Sequence, residues 1–114
     1  MCVQIALPAL KVNKMSKKLV RDKIPDIIKK SGKKPVTRIA NYDEYKKALR
    51  EKFLEEAKEF YESGEKEEIA DLLEVIYSIL KSEGLSLKEI EGIRKKKAKK
   101  RGSFDKKIIL EKVR

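Results

Sequence analysis

The sequence predicts an all-α protein built on one helical hairpin. Three observations carry that expectation. Over residues 43–62 and 65–83 apolar side chains recur every three to four positions, the spacing of one helix face. Ser63-Gly64 supplies a turn between the two runs, and Gly84 closes the second as a left-handed cap. Ser86-Leu87-Lys88-Glu89 has the form of a capping box that opens a further helix, running to about residue 101. With 114 residues and 40% hydrophobic content, the chain builds one small core that a partner subunit would help complete.

Taken in order, residues 1–14 carry an isolated Pro8 and no helical period, and are expected to form a peripheral arm to a single domain over 15–114. Met15 before Ser16-Lys17-Lys18 also suits a start of the chain. Residues 19–28 begin extended, and Pro25 suits the first turn of a short helix that Gly32 ends, with Ile24, Ile27 and Ile28 on one face. Val36-Thr37-Arg38-Ile39-Ala40 reads as a short extended segment, after which Asn41 or Asp43 caps the first hairpin helix. That helix carries Tyr45, Leu49, Phe53, Ala57 and Phe60 in one apolar sector. The second is expected to bury Ile69, Leu72, Leu73, Val75, Ile76, Ile79 and Leu80, a stripe wider than one neighbouring helix covers. Two hairpins from two chains are therefore expected to form a four-helix core, as a homodimer or homotetramer. Only Leu87, Ile90, Ile93 and Ala98 give the last helix an inner face. Gly102-Ser103 ends it, and the extended tail from Phe104 to Val113, with Ile108-Ile109-Leu110, is expected to pack back on the bundle.

The hairpin carries two carboxylate pairs, Glu56/Glu59 and Glu68/Asp71, each three residues apart and so on one helix face. Glu59 and Glu68 are equally distant from the turn, as are Glu56 and Asp71. An antiparallel hairpin thus sets the four side chains opposite one another. Glu56 also falls inside the apolar sector, where a carboxylate is costly unless paired or metal-bound. Oxygen-only ligands suit Mg²⁺, or Mn²⁺ in its place, with the remaining ligands from water and substrate phosphate. Either pair alone would read as an ordinary solvated face laced with lysines. The mirrored spacing favours a metal site.

Composition narrows the chemistry. The absence of His removes imidazole catalysis and most zinc sites, and the lone Cys2 removes an internal disulfide. No apolar run approaches the length of a membrane span and no secretory leader is evident, so the cytoplasm is the expected compartment. Charged residues make up 43% of the chain and side-chain amides occur only at Gln4, Asn13 and Asn41, a balance that suggests a thermophilic origin. The net charge is +11, and residues 94–101 alone carry seven positive charges. That run is a solvated face, a phosphate-binding wall or a nucleic-acid patch. Arg21 and Lys23 either clamp phosphates or pair with Asp22 and Asp26.

Glu55-Glu56-x-x-Glu59 followed by Glu68-x-x-Asp71 resembles the signature of the MazG-like all-α nucleotide pyrophosphohydrolases. Leu19-Val20-Arg21-Asp22-Lys23-Ile24-Pro25 and Lys100-Arg101-Gly102-Ser103-Phe104 look like the ends of small stand-alone members, so the likeness covers residues 19–113. The resemblance implies a helical fold completed by subunit pairing, and hydrolysis of a nucleoside triphosphate to monophosphate and pyrophosphate. Phosphoribosyl-ATP is the alternative substrate it suggests. Carried over by position, Glu56, Glu59, Glu68 and Asp71 would hold Mg²⁺, with Glu55 positioning the attacking water or supporting a ligand. Arg21, Lys23, Lys97, Lys100 and Arg101 are the candidate phosphate-binding cations. The contrasting expectation is a basic helical module that binds nucleic acid, for which Glu56 and Asp71 are not needed.

Overall fold

A computed structural model describes residues 17–114. The arm expected over residues 1–14 lies outside the described residues. Four helices follow in order: α1 over Ile24–Lys30, α2 over Tyr42–Ser63, α3 over Lys66–Glu83 and α4 over Leu87–Arg101. Among the described residues there is no strand, and the fold they form is all-α, as the periodicity predicts.

Each boundary has a local cause. Pro25 lies in the first turn of α1, where the missing N–H costs no helix bond. The Asn41 side chain accepts from the Glu44 N–H at 2.9 Å and opens α2. Gly64, at φ 67°, ends α2 in the left-handed region, and its N–H donates to Phe60 O at 2.8 Å. Two residues later α3 runs back antiparallel. It closes at Gly84, where the Leu85 N–H donates to Leu80 O at 2.9 Å. Ser86 Oγ then accepts from the Glu89 N–H at 3.1 Å and starts α4.

The extensive packing is between α2 and α3. Tyr42 ties the open end of the hairpin, its hydroxyl donating to Ser82 O at 2.5 Å, while Lys46 and Arg50 reach Glu83 at 3.6 and 3.9 Å. The core is thin: among the described residues Ile24, Leu49, Val75 and Leu80 are the buried apolar ones, and Glu56 and Asp71 are buried with them.

Several burial expectations fail within the single chain. Ile69 and Leu73 are about half exposed, Phe53 is exposed at 36%, and α4 buries no residue. An antiparallel pair covers one narrow strip of each helix, which leaves the rest of a broad apolar stripe in water. The tail does not fold back either, since Phe104, Ile108, Ile109, Leu110 and Val113 are all exposed by more than three quarters. Residues 36–40 are extended without joining a sheet, with Val36 and Ile39 fully in solvent.

Candidate metal centre

The α2–α3 hairpin brings the predicted carboxylates together through one shared member. Oxygens of Glu56, Glu68 and Asp71 lie within 4.8 Å of one another, and so do those of Glu55, Glu56 and Glu59. Glu56 belongs to both groups because it projects from the buried strip of α2 toward α3. It retains 8% of its exposure and Asp71 retains 7%. Glu56 Oε2 faces the Lys52 Nζ at 3.7 Å, but Glu56 Oε1 is buried with no hydrogen-bond partner among the described residues. An orphaned carboxylate oxygen is expensive in a protein interior. It is the feature that a surface salt-bridge network does not produce.

The electrostatics follow from that placement. Burial first, then the neighbouring Glu59, push the Glu56 carboxyl up to about 7, with Lys52 opposing and Asp71 and Glu55 adding to the rise. Glu68 is also raised, by desolvation, by Glu59 across the turn and by Asp71 on its own helix. The mirrored sequence spacing thus becomes real proximity of Glu59 to Glu68 and of Glu56 to Asp71. The donor set is oxygen only and already crowded, which fits a hard divalent cation such as Mg²⁺.

Cations from two elements frame the cluster. Lys18 Nζ meets Glu55 Oε2 at 2.5 Å, and Lys52 lies 3.5 Å from Glu55 Oε1. Arg21 Nη2 donates to Asp71 Oδ1 at 2.8 Å. Arg21 therefore touches the acidic site itself, and among the described residues no ion pair joins it or Lys23 to Asp22 or Asp26. Lys23 is the exposed N-cap residue of α1. Lys97, Lys100 and Arg101 lie on the exposed α4, which the chain does not pack onto the hairpin.

Sequence reasoning missed Lys18 and Lys52. The Lys52 contacts were readable, being three and four residues from Glu55 and Glu56 on one helix face. Lys18 meets Glu55 across 37 residues, and no local pattern announces such a contact. Comparison of the chain with protein-family models, with curated proteins and with solved structures returns no match.

Proposed function

We propose that the protein is a Mg²⁺-dependent nucleotide pyrophosphohydrolase that works as a homo-oligomer and cleaves a nucleoside triphosphate to monophosphate and pyrophosphate. The observation that carries this is the buried, unpartnered Glu56 Oε1 beside Glu68 and Asp71. Glu56, Glu59, Glu68 and Asp71 would hold the cation. A bound Mg²⁺ would neutralise phosphate oxygens and lower the pKa of water beside the scissile anhydride.

The chain's own residues supply the rest. The four carboxylates fix where the positive charge sits, and so where the polyphosphate must lie. Glu55, with Oε2 on Lys18 and Oε1 toward Lys52, has a fixed carboxylate with which to orient the attacking water. Hydrolysis joins the water oxygen to the α-phosphorus and breaks the bond to the bridging oxygen, which leaves with pyrophosphate. Cations at the rim, Arg21 and Lys23 foremost, stabilise that leaving charge.

The exposed apolar stripe of α3, with Ile69, Leu73 and Tyr77, is the surface through which copies pair in this proposal. A screen of nucleoside triphosphates with Mg²⁺, scored for pyrophosphate release, tests the activity. No release from any of them, with a correctly folded protein, refutes it. One observation favours a second reading, a nucleic-acid-binding module: the basic run of α4 stands in solvent, away from the carboxylates. Tight, salt-sensitive DNA binding without nucleotide hydrolysis would decide for it.

A further inference from the structure

The acidic hairpin carries its own counter-ions on one short segment. Lys18 and Arg21 stand three residues apart in the extended stretch before α1, yet they reach different arms: Lys18 pairs with Glu55 on α2, and Arg21 pairs with Asp71 on α3. The segment is bolted down just beyond them. Ile24 is 3% exposed, and its N–H donates to Arg21 O at 3.0 Å. The backbone of Arg21 is thereby held beside the site.

The two cations are not equivalent. The Lys18 side chain is 20% exposed and holds Glu55, which stands outside the group of Glu56, Glu68 and Asp71. Arg21 holds a member of that group, its side chain is 49% exposed, and it spends a single bond on Asp71 although a guanidinium offers five N–H donors. A half-exposed planar fork with one bond spent, at the edge of the carboxylate group, matches paired phosphate oxygens. Charge points the same way. Glu55, Glu56, Glu59, Glu68 and Asp71, counted as ionised, face Lys18, Arg21 and Lys52, a formal excess of two negative charges. One divalent cation cancels that excess. The net charge that Arg21 itself faces, from the five carboxylates with Lys18 and Lys52, then falls from three negative to one, and the phosphates that follow are the stronger acceptor.

We propose that Arg21 is a shared cation, which cedes Asp71 to the incoming divalent ion and turns its guanidinium to the substrate's polyphosphate. The proposal rests on the metal centre above and assigns Arg21 two successive partners. It makes Arg21 a competitor of the metal and a ligand of the phosphate. A residue that merely fixed Asp71 in place would assist the metal instead, and its loss would weaken metal binding.

The two roles give opposite signs, read by calorimetric titration of the full chain with Mg²⁺ alone and then, at saturating Mg²⁺, with inorganic tripolyphosphate. Arg21→Gln should bind Mg²⁺ about 3- to 10-fold more tightly, since one competing positive charge is gone, and tripolyphosphate about 10-fold more weakly. Arg21→Lys keeps the charge without the fork. It should restore the parental Mg²⁺ affinity and recover only part of the tripolyphosphate binding. Weaker Mg²⁺ binding by Arg21→Gln, or unchanged tripolyphosphate binding, overturns the shared cation while leaving the metal centre intact. A parent protein that binds no Mg²⁺ overturns both. If Arg21→Gln does not fold, Arg21→Lys decides: unaltered Mg²⁺ affinity with weakened tripolyphosphate binding supports the proposal, and unaltered affinity for both overturns it.

Discussion

Glu56→Gln is the most informative substitution, because it separates the cost of the site from its use. In the folded chain the Glu56 carboxyl is raised from 4.5 to about 7. A raised folded value means that the native state holds a proton which the unfolded chain has already released. The associated stability is fully present below about pH 4.5 and is lost as pH rises through 7. At ~1.4 kcal/mol per decade the loss by pH 8 is about 3 kcal/mol, an upper bound since Gln also forfeits the contact with Lys52. In EDTA, parent and variant should therefore melt together near pH 5. At pH 8 the variant should melt higher by up to about 12 °C, taking ~4 °C per kcal/mol for a domain of this size. Mg²⁺ at about 1,000 times its Kd should reverse the order, since it then adds about 4.1 kcal/mol to the state that binds it. Thermal melts followed by circular dichroism at the two pH values, with EDTA and with Mg²⁺, measure all four quantities. A parent whose stability is flat between pH 5 and 8, or an equal Mg²⁺ shift in both proteins, would refute the buried carboxylate as a cation ligand.

Three further outcomes are expected. Sedimentation at micromolar concentration should give the mass of at least two chains, and Leu73→Asp, on the exposed stripe of α3, should return the single-chain mass with loss of most pyrophosphate release. Neutralising Lys97, Lys100 and Arg101 together should leave KM for nucleotide and Mg²⁺ affinity nearly unchanged, because α4 does not pack onto the hairpin that carries the site; a several-fold rise in KM would bring α4 into the substrate site. Gly64→Ala, at φ 67°, should cost about 1 kcal/mol by denaturant unfolding, with the metal centre preserved. A cost within error would mean that the turn is not held in the left-handed region.

What the sequence disclosed and what it withheld divide along a physical line. Caps act within a few residues, so Asn41, Gly64, Gly84 and Ser86 could be read one by one and the helix ends fall within about two residues of expectation. The carboxylate cluster was legible for a related reason: a hairpin maps equal distances from its turn onto facing positions, and Glu56 stood in an apolar sector where charge is costly. Burial was less legible. Ile69 and Leu73 have the spacing of core residues, but whether they are covered depends on a neighbour that a periodic pattern does not name. The meeting of Arg21 with Asp71, 50 residues apart, leaves no trace in spacing at all. It follows from where Ile24 seats the segment before α1.

Under the proposed function, the composition of the core would tie assembly and metal to the fold. Four of its buried residues are apolar and two, Glu56 and Asp71, are acidic. The acidic pair occupies the strip where α2 and α3 face each other, which in a purely structural hairpin would hold leucine or valine. The single chain thus gives up apolar packing at its best-covered positions and leaves apolar side chains in water at others, Leu73 and Ile69 among them. Each defect has its own remedy: a cation for the buried charge, and a second surface for the exposed stripe. The two remedies are coupled. Pairing along α3 would exclude water from the flank of Asp71, lower the local dielectric and strengthen the attraction of the carboxylates for a divalent ion. A cation bound there would in turn relieve the repulsion that pushes α2 and α3 apart, and so hold the paired surface in shape. Mg²⁺ should therefore shift the association equilibrium toward the oligomer in the parent protein, and should fail to do so in Glu56→Gln, in sedimentation runs at matched ionic strength. Equal association of parent and variant with and without Mg²⁺ would show that the site and the interface are independent.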